Sequence, residues 1–413
     1  MNRGDRVRLT VERPAAGGRM IARHDGAIVF VAGAIPGEIV EAEIEKVQRG
    51  TVWAVTRDVL ERSADRLEGT VDGTCGGSVF AHIAYERQRT LKAAIVEDSL
   101  RRLGHITLSE PVHVVGSPID GYRMRARLHV RDSQIGFFRE GSHSICDPAV
   151  TRQLRDDTVT VIRELERSLA SAGKDLVSDI DIAENIDATQ RAIHLELRPD
   201  TDPSGLAALA RVANVDGASC AHPENPRTIE LFGETTISDE IAGMRIDRHA
   251  RSFFQGNRYL LRPFVDWVLR HVTAGPLVDL YAGVGLFSLA AVNAGTGPVS
   301  AVEGDPFAAR DLKRNAGRKI KVFELPVEKF RPSPAERVAT VIVDPPRTGM
   351  SKEALARAID IKAPNFVYVS CDIATLARDA RQLVEAGYRI HSAQAFDLFP
   401  NTAHVETIIS FAR

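Results

Sequence analysis

The stretch VDLYAGVGLFSLA, residues 278–290, decides the fold of this 413-residue chain. A buried-type strand runs into a turn containing Gly283 and Gly285, and a helix follows. Glycines at such a turn let the backbone approach a ligand closely. Outward from it, short apolar strands recur at 277–281, 299–303, 321–323, 340–343 and 366–369, with helical segments after the first two and the last two. This alternation predicts an α/β fold with a doubly wound, mostly parallel, Rossmann-like sheet.

Two carboxylates flank the glycine-rich turn. Asp279 lies four residues before Gly283, and Glu303 ends the next strand, twenty residues after that glycine. A carboxylate at the second place can hold ribose hydroxyls. Ser288 stands where the dinucleotide motif G-x-G-x-x-G has its third glycine, so another adenosine ligand is favoured. Asp279 suits the ammonium group of S-adenosylmethionine.

A second candidate site is the stretch VIVDPPRTGM, residues 341–350. Asp344 follows a strand at the carboxyl edge of the sheet, where α/β proteins bind ligands. Pro345 and Pro346 stiffen the backbone, so the loop could hold a planar base. Arg347 occupies the position after the prolines, where an aromatic residue would suggest methylation of an exocyclic amine. An ordinary stiff loop is the alternative interpretation.

Cys371 and Glu406 are the candidate reactive residues. Cys371 lies between the strand at 366–369 and a helix that begins near residue 373. A helix N-terminus favours a thiolate and lowers its pKa, although a buried, inert cysteine is the alternative. Glu406 begins the apolar strand VETIIS, where a carboxylate needs a partner or a function. His404, two residues earlier, is interpreted as a structural hydrogen-bonding residue.

The N-terminal half has a different pattern. Residues 1–58 contain short β-branched runs at 6–9, 27–30, 38–44 and 52–56, which predict a small β-barrel, either a structural module or an OB-like nucleic-acid binder. Residues 59–245 predict a mixed α+β region with helices at 85–103 and 155–171 and a loop at 198–205. Arg123, Arg125 and Arg127 fall on one face of a strand; an anionic partner or simple solvation would explain them.

Composition excludes several classes of protein. Hydrophobic residues make up 44% and charged residues 26%, with a net charge of −2, which excludes disordered and collagen-like chains and gives no bulk indication of nucleic-acid binding. No apolar stretch approaches the ~20 residues of a membrane span, and the N-terminus has no apolar leader, so we expect a cytoplasmic protein. Four cysteines in a chain of this length do not make a disulfide scaffold, and the absence of a C-x-x-C pair argues against an ordinary zinc site.

Taken together, the motifs resemble the RNA uracil-5-methyltransferases, which form 5-methyluridine in tRNA and ribosomal RNA. The motifs are FFQGN at 253–257, DLYAGVG at 279–285, DPPRTG at 344–349, VSCDIATLARD at 369–379 and FPNTAHVE at 399–406. Residues 18–44 resemble the TRAM module of some members, and the stretches YRMRARLHV and GFFREGSHSI resemble their central region. The resemblance covers nearly the whole chain.

The resemblance implies three domains: a TRAM-like, RNA-binding barrel at 1–58, a central RNA-binding α+β domain at 59–245 and a class I S-adenosylmethionine-dependent methyltransferase domain at 246–413. It implies Cys371 as nucleophile and Glu406 as general base. Gln255, Tyr281, Glu303 and Asp344 match the family's cofactor positions, and we add Asp279, Gly283 and Gly285 from the chemistry above. Leu286 stands where the family has an asparagine. For RNA we expect contacts from the three arginines, Arg347 and a base-stacking ring, Phe253 or Phe254.

One departure concerns the iron–sulfur cluster that many relatives bind through C-x5-C-x2-C and a distant fourth cysteine. Gly69 and Ser78 occupy the first and third positions, which leaves Cys75. The fourth position falls near Thr151, and Cys146 is offset from it. Because such a cluster takes four thiolates, we expect no cluster and no metal.

The expected partner is RNA, either ribosomal or transfer RNA, with no membrane contact and a monomeric state. Two other functions remain open at this point. One is methylation of cytosine at carbon 5, which also uses thiolate addition. The other is a non-catalytic RNA-binding or chaperone protein with a relic catalytic domain.

Overall fold

A computed structural model describes residues 1–69, 72–172, 175–333 and 336–413. Its N-terminal strands form a closed barrel in the order β1-β2-β3-β5-β4, as the sequence predicted for residues 1–58. Alternate residues such as Val29, Val31 and Val40 point inward and are fully buried. The strands are β1 (Arg6–Pro14), β2 (Met20–His24), β3 (Ala27–Ala32), β4 (Ile39–Gln48) and β5 (Thr51–Glu61). The sequence pattern did not predict β2, because this short strand ends in the polar residues Arg23 and His24.

The next elements are α1 (Tyr85–Leu103) and β6 (Val114–Val115). The helix has the predicted bounds and ends at Gly104, with Arg101 and Arg102 in its last turn. Its apolar residues Ile95, Val96 and Leu100 belong to one of the two cores around the C-terminal sheet. This part of the predicted central domain therefore packs with the C-terminal region.

A seven-stranded sheet forms the middle of the chain, in the order β13-β12-β11-β10-β7-β8-β9. Apolar side chains from α2 and α3 pack into its core, which includes Val161, Leu165 and Leu206. The predicted helix at 155–171 corresponds to α2. The elements are β7 (Arg125–Arg131), β8 (Gln134–Phe138), β9 (Ile145–Cys146), α2 (Asp156–Ala170), β10 (Val177–Glu184), β11 (Arg191–Leu197), α3 (Leu206–Ala210), β12 (Gly217–His222) and β13 (Asn225–Gly233).

A hairpin of β14 (Thr236–Ile241) and β15 (Met244–His249) follows. It packs on the C-terminal region: Ile241, Met244 and Ile246 share a core with its helices. Asn315 Oδ1 also accepts a hydrogen bond from the Asp247 amide at 3.0 Å. The expected boundary between residues 245 and 246 therefore cuts a strand of this hairpin.

The C-terminal sheet has eight strands in the order β18-β17-β16-β19-β20-β22-β21-β6. The first five are mutually parallel, β22 is antiparallel to both of its neighbours β20 and β21, and β6 lies parallel to β21 on the edge. The predicted α/β class and Rossmann-like sheet are confirmed. The elements are α4 (Leu261–Arg270), β16 (Leu277–Leu280), α5 (Leu286–Asn293), β17 (Val299–Glu303), α6 (Pro306–Ala316), β18 (Ile320–Glu324), β19 (Thr340–Val343), α7 (Lys352–Asp360), β20 (Asn365–Ser370), α8 (Ile373–Glu385), β21 (Arg389–Phe396) and β22 (Glu406–Ala412).

Across the described ranges, no helix is both long and apolar enough to cross a bilayer.

Candidate active site

Cys371 and Glu406 meet at the carboxyl end of β20. The antiparallel register pairs Val369 with Ile408 and Ser370 with Thr407, so the next step places Cys371 opposite Glu406. Asp372, directly after the cysteine, caps α8 by accepting a hydrogen bond from the Thr375 amide. The cysteine therefore lies between a strand end and a helix start, as expected, with a carboxyl group across from it.

The pKa of Cys371 is shifted upward, opposite to the downward shift expected from the helix N-terminus. Burial, followed by the charges of Glu406 and Asp344, raises the pKa of this thiol to about 12, whereas the Arg347 charge lowers it. The helix end offers only about 0.3–1 kcal/mol, less than desolvation and two carboxylates can cost. The thiol is therefore protonated at neutral pH in the free protein.

The two carboxyl groups beside the cysteine also favour their neutral forms. Glu406 is 3% exposed, and burial together with the charge of Asp344 raises its pKa well above the ordinary value. Burial and the charge of Asp279 raise the pKa of Asp344 to about 7. Gln255 Nε2 donates a hydrogen bond to Asp344 Oδ2 at 3.2 Å, which joins FFQGN to DPPRTG. Shifted groups gathered at one sheet edge are typical of a reactive centre.

The glycine-rich turn lies at the same edge and has the features of an adenosine cradle. The Glu303 carboxylate accepts hydrogen bonds from the amides of Gly283 and Asp305, each at 2.7 Å. Asp279 is fully buried; Ser288 Oγ donates to its Oδ2 at 2.5 Å, while its Oδ1 has no partner among the described residues. An orphaned buried carboxylate oxygen fits a positively charged ligand group.

The other residues of the turn differ in backbone conformation and in the space around them. Tyr281 takes a left-handed backbone with φ 62°, which marks local strain in the turn. A Cβ on Gly283 would meet nothing within 4 Å, whereas one on Gly285 would come within 2.7 Å of Leu312 Cδ1. Gly285 has a φ of +101°, where any other residue would be strained, and its close approach to α6 is a packing reason for glycine beside the ligand approach that we expected. Leu286 is buried in the core at the start of α5.

The three arginines alternate as predicted, but their environment is not the one expected. Asp181 lies 3.3 Å from Arg125 and 3.8 Å from Arg127, and Asp179 lies 3.5 Å from Arg127. The protein's own carboxylates on β10 thus compensate these two charges, so neither an anionic partner nor a free solvated face is needed to explain them.

Arg123 has a different environment. It donates to Gln153 Oε1 at 2.7 Å, and its guanidinium carbon lies 5.4 Å from the Phe137 ring centre and 5.9 Å from that of Phe399. It precedes β7 and, through Phe399, borders the FPNTAHVE stretch that leads to Glu406.

The two candidate stacking rings separate clearly. Phe253 is 64% exposed, and the Arg125 guanidinium carbon lies 5.7 Å from its ring centre. Phe254 is 3% exposed, packs in the core and is covered by Arg248. Phe254 is therefore a core residue and is removed as an RNA contact.

The residues at and near the cluster-ligand positions have other partners in the structure. Cys146, offset from the fourth position near Thr151, forms a disulfide with Cys75, with their Cα atoms 5.7 Å apart. Ser78 Oγ and Thr151 Oγ1 donate to the backbone carbonyls of Cys75 and Pro148, respectively. Within the described residues, no group of three or more His, Cys, Asp or Glu side chains is placed to bind a metal ion.

Sequence reasoning missed Asp379. Its Oδ2 accepts hydrogen bonds from Tyr368 OH at 2.6 Å and from the Met350 amide at 3.1 Å, so it fixes the end of the DPPRTG loop. A usable signal was present, because Asp379 falls on the apolar face of α8 between Leu376 and Leu383.

Comparison with known proteins agrees with these observations. The family model "tRNA (Uracil-5-)-methyltransferase" matches residues 334–413, and the TRAM domain model matches residues 2–55. A Pseudomonas putida protein named 23S rRNA (uracil(1939)-C(5))-methyltransferase is 30% identical over 99% of this chain and 94% of its own length. One of the same name from Thiobacillus denitrificans is 31% identical over 96% of this chain and 97% of its own length.

A solved structure has the same fold along almost the entire chain. The tRNA (uracil-54, C5)-methyltransferase of Pyrococcus abyssi, in complex with S-adenosyl-L-homocysteine, superimposes with a TM-score of 0.78 at 22% identity and covers 98% of this chain and 99% of its own. The full-length relatives, together with the five motifs in order, show that this chain belongs to the RNA uracil-5-methyltransferase family.

Proposed function

We propose that this protein methylates carbon 5 of a uridine in RNA, with S-adenosylmethionine as methyl donor, through a covalent bond between Cys371 and the base. The observation that carries the proposal is the register that sets Cys371 opposite Glu406, beside Asp344 at the carboxyl edge of the sheet. A nucleophile and a base in one desolvated place are what this reaction needs.

The chemistry assigns each residue a step. Carbon 5 of uracil is a poor nucleophile until the Cys371 sulfur bonds to carbon 6 and an enolate forms. Carbon 5 would then take the methyl group from the bound donor, whose sulfur–methyl bond breaks and leaves S-adenosylhomocysteine, and carbon 5 still carries its proton. Glu406 removes that proton, the sulfur–carbon 6 bond breaks, and the Cys371 thiolate is released with the methylated base.

The raised pKa values constrain how the reaction begins. In the free protein Cys371 is a neutral thiol and Glu406 favours its protonated form, whereas Asp344, with a pKa of about 7, is partly ionised at neutral pH. Cys371 and Glu406 must each therefore release a proton to water before they act as nucleophile and base. Arg347 is the positive group whose charge acts on both Cys371 and Glu406, so it favours the thiolate and the carboxylate. A Glu406 carboxylate with a raised pKa is also a stronger base when the carbon 5 proton must leave.

The cradle fits S-adenosylmethionine, which supplies a sulfonium methyl group when bound. Asp279 would hold the ammonium group through its unpartnered oxygen, and Glu303 would hold the ribose hydroxyls. Tyr281, Gly283, Gln255 and Asp344 complete the set along the same sheet edge. Because Gly283 has open space on its Cβ side, the backbone can approach the ligand there.

We infer that ribosomal RNA is the first substrate to test, because relatives that match nearly the full chain are named for 23S rRNA. Phe253 offers an exposed ring on which a base can stack, a contact worth roughly 1–3 kcal/mol. The TRAM-like barrel and Arg123 would add contacts to RNA outside the reacting base. Phosphate contacts should make binding weaken steeply with salt.

The test is transfer of labelled methyl from S-adenosylmethionine to unmodified ribosomal RNA and tRNA, offered separately. We expect label in one RNA, recovered as 5-methyluridine after digestion to nucleosides. Cys371→Ala should abolish transfer, whereas Cys220→Ala, which removes the other free cysteine, should not. Label on cytosine would replace the proposal with cytosine methylation, and binding of RNA without transfer to either RNA would favour a non-catalytic role.

A further inference from the structure

An irregular loop next to the reactive residues is held in place by hydrogen bonds to four of its consecutive backbone carbonyl groups. This loop, residues 398–404, connects β21 to β22 and ends two residues before Glu406. Its donors come from four separate parts of the chain. They are Asn257 Nδ2 to Leu398 O at 3.1 Å, Lys92 Nζ to Phe399 O at 3.0 Å, Tyr122 OH to Pro400 O at 3.5 Å and the Phe80 amide to Asn401 O at 2.8 Å.

Helix α1 provides two buried side chains, Gln88 and Lys92, that attach the loop. The buried side chain of Gln88 accepts a hydrogen bond from the Asn401 amide and donates one to Asn401 Oδ1, each at 2.9 Å. Lys92 is also fully buried and pairs with Asp397 Oδ1 at 2.5 Å. Asn401 has a φ of 64°, a left-handed conformation that this reciprocal pair helps to maintain. The loop therefore takes its shape from partners outside its own hairpin.

The N-terminal barrel touches the same loop directly. Gly18, in the turn between β1 and β2, lies so close to it that a Cβ there would come within 2.9 Å of Ala403 Cβ. Ala403 packs against the barrel's own core cluster, together with Phe80, whose amide holds Asn401. The barrel turn and the loop are therefore in close contact one residue before His404.

The loop in turn borders the reactive centre. The Phe399 ring centre lies 5.9 Å from the Arg123 guanidinium carbon and 6.1 Å from the His404 ring centre. Desolvation, followed by the charges of Arg347, Lys92 and Arg123, lowers the pKa of His404 to about 4, so this ring is neutral at pH 7. The Arg347 charge lowers the pKa of His404, Cys371 and Glu406, so all three groups lie within range of its charge.

We propose that the TRAM-like barrel is a positioning element of the active site: the contact between Gly18 and Ala403 sets the 398–404 loop and thereby the geometry around Cys371. The barrel then does more than add affinity for RNA. The inference rests on the proposed methyl transfer for its kinetic readout, but the position of the loop can be followed without substrate.

Two adjacent glycines provide a matched pair of variants. Gly17 and Gly18 have φ values of +90° and +91°, so alanine costs each the same backbone strain. A Cβ on Gly17 meets nothing within 4 Å, whereas one on Gly18 comes within 2.9 Å of Ala403 Cβ and 3.3 Å of Val79 Cγ1, of which the Ala403 contact is the tighter. We expect Gly18→Ala to lower kcat about tenfold or more, since small displacements near reacting groups are costly, with little change in the KM for RNA. Gly17→Ala should leave both constants close to wild type.

A compensating substitution separates positioning from folding. Ala403→Gly in the Gly18→Ala background removes the clashing methyl group and should restore most of kcat. Ala403→Gly alone removes a packing contact without a clash, and it keeps the test valid if Gly18→Ala does not fold. Equal kcat values for Gly18→Ala and Gly17→Ala would overturn the inference. So would a lower kcat in both variants that Ala403→Gly does not restore in the Gly18→Ala background.

A readout without RNA distinguishes failure of this inference from failure of the proposed function. The alkylation rate of Cys371 with iodoacetamide, in folded protein, reports the environment of the thiol whether or not methyl is transferred. Gly18→Ala or Ala403→Gly should change that rate at least about threefold, while Gly17→Ala should not. Identical rates in all variants would reject the positioning role even if the wild-type protein proves inactive on RNA.

Discussion

At the scale of single residues, Cys371 shows how burial outweighs the helix N-terminus that its sequence position indicated. Its pKa is raised to about 12 by burial and then by Glu406 and Asp344, and lowered by Arg347. We expect Glu406→Gln to speed alkylation of Cys371 at pH 10, because removing a negative neighbour lowers the thiol pKa. Arg347→Gln should slow it, and a shift of one pKa unit corresponds to about tenfold in thiolate. Arg357→Gln, on α7, is the control; changes of the same sign in both test variants would contradict this electrostatic account.

Asp279 is expected to favour ligand binding while lowering the folding stability of the free protein. Burial raises its pKa from 3.8 to about 7, so its ionised form destabilises the free folded protein increasingly as pH rises from about 4 to above 7. Asp279→Asn should therefore raise the melting temperature of the free protein more at pH 8 than at pH 5, and weaken S-adenosylmethionine binding. Thermal melts and calorimetric titration measure the two effects. Unchanged affinity would remove Asp279 from the cradle.

Phe253 and Phe254 are adjacent rings that the sequence could not tell apart. In the structure Phe254 lies in the core, whereas Phe253 points outward. Phe253→Ala should weaken RNA binding by about 1–3 kcal/mol, since the exposed ring would stack on a base. Val384→Ala, which trims an exposed apolar residue near the end of α8 and outside the proposed RNA contacts, should have no comparable effect. Filter binding at fixed salt measures both, and equal affinities for wild type and Phe253→Ala would show that the ring is not a contact.

At the scale of elements, the disulfide joins the segment before α1 to strand β9. Cys75 and Cys146 are 71 residues apart and both are buried. Reduction, or Cys75→Ala, should lower the free energy of unfolding by about 2–4 kcal/mol, because closing a long loop restricts the unfolded chain. Denaturant unfolding with and without reductant measures this, with Cys220→Ala as control. Equal stability in the two conditions would show that the pair contributes nothing to folding.

The strands and helices that the sequence predicted well are those with local patterns. Helix α1 carries its own stop at Gly104, and the strands β17 and β19 have the predicted bounds, because buried parallel strands are short apolar runs. The environment of Arg125 and Arg127 could not be predicted, because Asp179 and Asp181 lie more than fifty residues away on β10. Long-range pairing of this kind leaves no mark in a local pattern.

At the scale of the whole molecule, one segment of the predicted central domain packs outside the central sheet. Residues of α1 and β6 pack on the C-terminal sheet, although the barrel precedes them and the central sheet follows. Composition shifts along the chain cannot reveal such crossings, so the expected boundaries at 58/59 and 245/246 describe changes of pattern more than units of packing. The motifs, by contrast, indicated one sheet edge for Cys371, Asp344 and the cradle, because parallel strands end at the same side, and Glu406 joins them because the antiparallel β22 begins there.

The most direct test of the central claim is to identify the covalent species. Glu406→Gln protein is incubated with S-adenosylmethionine and the RNA that accepts methyl, then digested with nuclease and protease and analysed by mass spectrometry. Because elimination needs a base at carbon 5, the account predicts that the peptide containing Cys371 carries a methylated uridine nucleotide, in greater yield than in wild type. An unmodified Cys371 peptide alongside 5-methyluridine formed at the wild-type rate would contradict it.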